Sequence, residues 1–262
     1  MDREERIEAV ARKLAADWRA RAPYEALAGE IRPHDMDEAC AAQSALHRLL
    51  AAERGPLAGR KIALASPVMQ KMCGIDHPVA GAVFAADVRR SPAEVRLADF
   101  RHLGVEFELA LVLGRDARPE DAPFDAAAAR DLVAEVRPAF ELIEDRGADY
   151  SRLDALTLAA DNAWCGGVVL GEPIPGWRAR DLDDLPATVL QNGHEPEAAN
   201  TGAAAPLASL AWVLNHFAAR GETVKAGEAV ITGSAARTRF PAPGDRLAYE
   251  IDGLARVEMR VL

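Results

Sequence analysis

The sequence predicts an α+β protein, with a helical N-terminal region over residues 1–57 followed by a mixed, mainly antiparallel sheet core over residues 58–262. Three observations predict it. Apolar residues recur at helical spacing before residue 55. From about residue 58 the texture changes to short apolar runs punctuated by glycine and proline. Those runs are too many, and too unevenly separated by helical stretches, for a repeating β-α-β array. The chain has 262 residues, half of them hydrophobic (50%), which can fill one large core or two smaller ones.

The first helix covers 3–20, where Ile7, Val10, Ala11, Leu14 and Trp18 form one amphipathic stripe. A second covers 36–53, with Asp35 as N-cap, Glu38 in capping-box position and Gly55 just past its end; Leu46, Leu49 and Leu50 anchor it. Neither helix carries visible chemistry, so both are expected to pack, on the main domain or on another subunit. Strands are expected at 60–65, 104–113, 136–144, 166–170, 186–191, 228–232 and 246–261. Asn192-Gly193 and Asp252-Gly253 are hairpin turns, the second between runs 247–251 and 257–261. A helix is expected over 125–135 from Asp125. Another is expected over 206–219, with Pro206 in its first position, Leu207, Leu210, Val213, Leu214 and Phe217 as its buried stripe, and Gly221 after its end.

Charge and composition exclude several functions. A net charge of −10 argues against a nucleic-acid binder. No apolar stretch approaches the ~20 residues of a membrane span, and the charged start Met1-Asp2-Arg3-Glu4-Glu5-Arg6 does not open a signal peptide. Cys40, Cys73 and Cys165 are scattered, without zinc-site spacing or a disulfide framework. A soluble, cytoplasmic protein is expected.

The chemistry gathers on two strands. Glu106 and Glu108 sit inside the apolar run 104–114. Strand side chains alternate, so both carboxylates point to one face, roughly 6–7 Å apart. Val105, Phe107, Leu109, Leu111 and Leu113 line the opposite, core face, while Ala110 and Val112 continue the carboxylate face. Two like charges on a half-buried strand repel and lose hydration; a divalent cation is the simplest compensation, and an edge strand with two solvated glutamates is the alternative. Glu141, flanked by Phe140 and Leu142, offers a third oxygen ligand unless it pairs with Arg146. Three carboxylates, completed by water or a chelating substrate, suit Mg²⁺ or Mn²⁺, and no histidine or cysteine close in sequence argues for zinc.

The chain has only four lysines: Lys13, Lys61, Lys71 and Lys225. Lys13 falls on a helix surface, and Lys71 and Lys225 in turn-like stretches. Lys61 stands beside strand-forming residues, as a point charge with a tunable pKa or as a strand-end lysine with its amine in water. Asp161 and Asn162, in a loop before the strand at 166–170, form an Asx turn or face a ligand. Thr232-Gly233-Ser234 ends an apolar strand, as a turn or as a source of hydroxyls and amides for a substrate carboxylate. His34, His47 and His216 form no cluster, and neither a nucleophile elbow nor a phosphate-cradling loop is present.

In this order the segments resemble the 2-keto-4-pentenoate hydratase family, with its related 2-oxohept-4-ene-1,7-dioate hydratases and 4-oxalocrotonate decarboxylases, in the fumarylacetoacetate hydrolase superfamily. The resemblance is carried by Gly59-Arg60-Lys61-Ile62 with Ser66-Pro67, then 104–109 with Val112-Leu113-Gly114, then 138–143. It continues through 160–163 with Cys165-Gly166 and Val169-Leu170-Gly171, and ends with Lys225-Ala226-Gly227 and Thr232-Gly233-Ser234. It implies a β-roll core and a homo-oligomer. By it Glu106, Glu108 and Glu141 are metal ligands for Mg²⁺ or Mn²⁺, and Lys61 is the active-site lysine. Ser66, Asp161, Thr232 and Ser234 are the candidate substrate-binding residues. The hydrolase branch carries its key lysine after the third carboxylate, where this chain has none until Lys225. The chain departs from the family pattern at Ala63, at Pro78-Val79-Ala80-Gly81 (which loses an acidic residue), at Glu144-Asp145-Arg146 and at Trp164.

The expected function is therefore a metal-dependent lyase that hydrates a 2-hydroxy-2,4-dienoate to a 4-hydroxy-2-oxo acid. The alternatives are a decarboxylase of a 2-oxo diacid and a catalytically silent metal- or oxo-acid-binding member of the fold. The expected partner is a small 2-oxo or 2-hydroxydienoic acid, with no nucleic acid and no membrane.

Overall fold

A computed structural model describes residues 1–251 and 253–262. Helices α1 (Arg3–Ala20) and α2 (Met36–Arg54) form where the apolar stripes place them. Asp2 and Asp35 accept the N3 amides of Glu5 and Glu38, and the Glu5 carboxylate reaches back to close a capping box on α1. Gly55, at φ +77°, ends α2 with its N–H on the Ala51 carbonyl.

The core then runs β1 (Leu57–Ala63), α3 (Pro67–Met72), β2 (Val79–Phe84), β3 (Val88–Arg90), β4 (Ala93–Val95) and β5 (Leu103–Leu113). It continues α4 (Ala126–Leu132), β6 (Val133–Glu144), α5 (Ala155–Ala160), β7 (Cys165–Leu170), β8 (Pro186–Gln191) and β9 (Glu197–Asn200). It ends α6 (Pro206–Ala218), β10 (Ala229–Ile231), β11 (Arg246–Ile251) and β12 (Ala255–Val261). Asn192 and Gly193 both take positive φ in the turn between β8 and β9, as their pairing predicts. Asp252, half of the second expected turn, lies outside the described residues.

Several elements differ from expectation. The helix expected over 125–135 stops at Leu132, because residues 133–135 are drawn into β6 by pairing with Val112 and Leu113 of the long strand β5. Strands β2, β3, β4 and β9 and helices α3 and α5 were not anticipated, and Lys71 belongs to α3 rather than to a turn.

Seven strands form one sheet in the order β2-β1-β10-β5-β6-β7-β3, and five form a second, β4-β12-β11-β8-β9. Pairings β1–β10, β3–β7 and β4–β12 are parallel and the rest antiparallel. The larger sheet curls until β2 packs against β7. Its enclosed face carries small and β-branched residues, among them Val83, Ala110, Ala139, Val168, Ala229 and Ile231. The other face carries Phe107, Leu109, Phe140 and Leu142, which pack on Tyr249 and Val257 of the second sheet and on Leu210 and Leu214 of α6. Helices α1 and α2 share an apolar cluster with β2 and α5, formed by Val10, Leu14, Leu46, Leu50, Val79, Phe84 and Leu158. No helix among the described residues is long and apolar enough to cross a membrane.

Candidate metal centre and its cavity

The β5–β6 register sets Glu106 directly opposite Glu141, with Glu108 opposite Ala139. All three glutamates share the face of Ala110 and Ala139, so the carboxylates enter the enclosed side of the curled sheet. Like charges directly opposite on a sheet destabilise it. Each glutamate offers an oxygen, and these oxygens all lie within 4.8 Å of one another. Glu108 and Glu141 are almost fully buried and Glu106 is half-buried.

Few donors answer them. The Gly233 N–H donates to Glu108 Oε2 at 2.6 Å, and the Thr238 hydroxyl to Glu106 Oε1 at 2.7 Å. Lys61 Nζ, also buried, stands 2.9 Å from Glu141 Oε1, an ion pair by distance that lacks the geometry of a directed hydrogen bond, and donates to the Ala163 carbonyl at 3.2 Å. Glu108 Oε1 and both oxygens of Glu141 are thus buried without a hydrogen-bond partner. Three ionised carboxylates and one ammonium leave the charge that a single divalent ion neutralises, and bare oxygens at this spacing are a hard, oxygen-only donor set of the kind Mg²⁺ and Mn²⁺ prefer. The residues fit such an ion.

Titration follows the same logic. Burial, reinforced by the charges of Glu141 and Glu106, pushes Glu108 well above the usual carboxylate range. Burial also lifts Glu141, to about 7, against the opposing pull of Lys61. For Lys61, burial alone would lower the ammonium's pKa, but the charges of Glu141, Cys165 and Glu106 outweigh it and hold the group protonated. In the metal-free protein Lys61 is a fixed cation.

Of the three carboxylates Glu106 borders a cavity of about 830 Å³, together with Lys61, Ser234, Arg237 and Thr238, while Glu108 and Glu141 lie buried behind it. Its wall also includes the β1–α3 segment, Ile143 of β6, the segment leading into α5, Trp164, and the start of α6 with the residues before it. A smaller cleft of about 240 Å³, beside Trp18, Arg54, Asp87 and Arg146, touches none of the three carboxylates.

One loop shapes both lysine and cavity. Asn162, Ala163 and Trp164 all take positive φ (54°, 45° and 59°), a strained conformation for three successive non-glycine residues. The Asn162 side chain holds it. Its Oδ1 accepts the Ala82 N–H at 2.7 Å and its Nδ2 donates to the Ala82 carbonyl at 2.9 Å, so the amide substitutes for a neighbouring strand along the free edge of β2. His47 Nε2 reaches the same Oδ1 at 2.8 Å, and burial lowers that imidazole's pKa to about 4, which makes the ring a neutral donor. Gly81 is required at the close approach, since a Cβ there would stand 2.6 Å from the Asn162 carbonyl oxygen. The loop so held turns the Ala163 carbonyl to Lys61 and lays Trp164 along the cavity.

The structure gathers Lys61, Glu106, Glu108 and Glu141, and treats the other sequence candidates unevenly. Ser66 borders the cavity while its Oγ caps α3, accepting the Met69 N–H. Ser234 borders it too, although its hydroxyl donates to the Ala236 carbonyl and accepts the Phe107 N–H. Thr232 is fully buried with its hydroxyl on the Leu109 carbonyl. Asp161 does not border the cavity: it is buried against Arg146 at 2.6 Å and the Trp18 indole at 2.8 Å, which occupy its carboxylate in place of a ligand. Val79, where an acidic residue was expected, packs in the helical cluster. Sequence reasoning missed Thr238, the Ala163 carbonyl and the supporting role of Asn162, and it offered the amides of Thr232-Gly233-Ser234 to a substrate carboxylate, whereas the Gly233 N–H donates to Glu108. Only Asn162 left a signal, in its aspartate–asparagine pair.

Comparison with known proteins is consistent with this geometry. Residues 74–262 match the family described as fumarylacetoacetate (FAA) hydrolase C-terminal. The 2-keto-4-pentenoate hydratase of Paraburkholderia phymatum is 32% identical over 263 residues, 98% of this chain and 98% of its own. The 2-keto-4-pentenoate hydratase 1 of Dechloromonas aromatica is 32% identical over 95% of this chain and 93% of its own. Among solved structures, the 4-oxalocrotonate decarboxylase from Pseudomonas putida G7, complexed with magnesium and adipate, matches with a TM-score of 0.90 at 22% identity, over 100% of this chain and 99% of that one. That likeness establishes the fold: a curled mixed sheet with an N-terminal helical region. With most of its length in the family match and with full-length relatives above 30% identity, the chain belongs to the fumarylacetoacetate hydrolase family.

Proposed function

We propose that the protein is a divalent-metal-dependent lyase that hydrates a 2-hydroxy-2,4-dienoate to a 4-hydroxy-2-oxo acid, with Mg²⁺ or Mn²⁺ held by Glu106, Glu108 and Glu141. The observation that carries the reading is the set of partnerless carboxylate oxygens of Glu108 and Glu141, clustered with Glu106, which borders a largely apolar cavity. The names of the relatives near 32% identity support the hydratase reading, and the magnesium in the 4-oxalocrotonate decarboxylase structure supports the ion.

The metal, when bound, supplies a Lewis acid for a chelating 1-carboxylate and 2-oxygen and an electron sink for the dienolate. The chain's own groups do the rest. Lys61, held protonated between Glu141 and the Ala163 carbonyl, stabilises negative charge developing near the 2-oxygen and is poorly suited to act as a base while it stays so. Thr238 and the Gly233 amide orient Glu106 and Glu108. Trp164 and the leucines of the wall limit water around the diene.

Decarboxylation of a 2-oxo diacid needs the same electron sink, and the full-length likeness to the decarboxylase fold keeps it as the second reading. EDTA-treated protein given a 2-hydroxydienoate should regain loss of the dienol absorbance on addition of Mg²⁺, and should release no CO₂ from 2-oxohex-3-enedioate. CO₂ release without hydration reverses the order of the two readings, and turnover that ignores the metal ends both. We further propose a cytoplasmic homo-oligomer, which sedimentation of the purified chain tests for assembly and cell fractionation for location.

A further inference from the structure

We infer that the cavity selects substrates whose tail is apolar and several carbons long, and rejects a tail that ends in a second carboxylate. The inference rests on the lyase reading, which puts the substrate head at Glu106, Glu108 and Glu141. Charge is the first observation. Among the described residues that border the cavity, only Lys61, Glu106 and Arg237 are charged. Lys61 is paired with Glu141. Arg237, the one further cation among them, is exposed and directly precedes Thr238, whose hydroxyl holds Glu106. The remaining wall includes Leu64, Met69, Leu153, Leu158, Trp164 and Trp212, with no cation to receive a tail carboxylate.

Size is the second observation. About 830 Å³ lies near the top of the ~300–1,000 Å³ range of pockets that enclose drug-sized ligands, well beyond what a five-carbon acid fills. A carboxylate moved from water to such a wall loses hydration without a partner. A methylene placed there gains, by the ordinary burial of apolar surface, about fourfold in affinity.

Stable 2-oxo acids separate the head from the tail. Calorimetric titration of the Mg²⁺-loaded protein with pyruvate, 2-oxopentanoate, 2-oxohexanoate and 2-oxoadipate should show affinity rising about fourfold per added methylene. 2-Oxoadipate should bind at least tenfold more weakly than 2-oxohexanoate. Met69→Arg, on the partly exposed helix α3, should reverse that preference, and retained pyruvate binding reports that the variant is folded. Equal or tighter binding of 2-oxoadipate by the wild type, or affinity that does not grow with chain length, overturns the inference while Mg²⁺-dependent pyruvate binding leaves the lyase reading standing. An unchanged preference in a Met69→Arg protein that still binds pyruvate also counts against it. Absence of Mg²⁺-dependent binding by every acid in the series overturns both.

Discussion

Strand β6 carries two buried acidic clusters that are opposites in how they are satisfied. At Glu141 three carboxylates converge on one lysine, and three of their oxygens have no hydrogen-bond partner. Three residues further along, every carboxylate is answered. Glu144 accepts the amides of Arg101, His102 and Arg146, and Asp145 accepts His102 Nδ1, the Gly147 amide and the Tyr150 hydroxyl. The Arg146 guanidinium meanwhile grips both oxygens of Asp161. Burial alone therefore does not mark a functional acid. The mark is burial without donors, because an arrangement that costs stability in the empty protein persists only if something else is bound there.

Breaking the satisfied cluster should have the largest effect on stability. Arg146→Ala leaves Asp161 buried with only the Trp18 indole, and unfolding in denaturant should show a loss of about 3–5 kcal/mol, the same with EDTA as with Mg²⁺. A loss under about 1 kcal/mol would erase the contrast between the clusters.

Acid offers the next test. His47 has a folded pKa of about 4 against an ordinary 6.5, so burial favours its neutral form and the associated stability is present above pH 6.5. It is lost as pH falls from there to about 4, and the wild type should give up on the order of 3 kcal/mol relative to His47→Gln across that window. Stability curves that run parallel for the two proteins between pH 7 and 4 would refute it.

Asn162→Ala removes both bonds to Ala82 and should cost about 2 kcal/mol. Because the loop that Asn162 holds presents the Ala163 carbonyl to Lys61, kcat should fall with little change in KM. A matched rise in KM would place the effect on substrate binding instead.

The smallest stability change in EDTA is expected at the unsatisfied cluster itself. Glu108→Gln keeps size and relieves repulsion, so the metal-free variant should be no less stable than wild type, and more stable by up to about 1 kcal/mol. The gain in melting temperature that Mg²⁺ gives the wild type should largely vanish. The pH dependence has the opposite sign to that of His47. The Glu141 pKa rises on folding to about 7, so its contribution is full below its ordinary 4.5 and is lost as pH climbs toward 7. That loss should appear in EDTA-treated wild type. A variant that loses several kcal/mol in EDTA would mean Glu108 is a structural acid after all.

The sequence made the unsatisfied cluster legible because period-two alternation on one strand is local information. Glu106 and Glu108 had to share a face, and the apolar residues around them had to bury it. The satisfied cluster was harder to read, since Asp161 meets Arg146 only through the turn after β6, and an aspartate beside an asparagine resembles a ligand loop until its partner is seen. Helices α1, α2 and α6 announced themselves by stripe and cap. Helices α3 and α5 have six residues each, too few to show a period, although Ser66-Pro67 and Asp154 are sound N-terminal signals. Strand β2 was hidden by Pro78 and Gly81, which look like turn punctuation. Gly81 in fact marks the place where another segment's backbone comes too close for a side chain. Thr238 and Gly233 reach the carboxylates from more than a hundred residues away, a distance no local pattern spans.

The pairing of β1 with β10 joins Lys61 to Ile231 across most of the chain, whereas β5 and β6 are consecutive strands. A refolding chain can therefore bring Glu106 face to face with Glu141 early, before the lysine and the Gly233 amide arrive to ease the clash. The route to the native state then carries a stretch of electrostatic friction that a divalent ion in the buffer would smooth. Refolding should be faster in Mg²⁺ than in EDTA for the wild type and nearly indifferent to it for Glu108→Gln, so the ion that serves chemistry in the finished protein would also serve as a chaperone for its assembly.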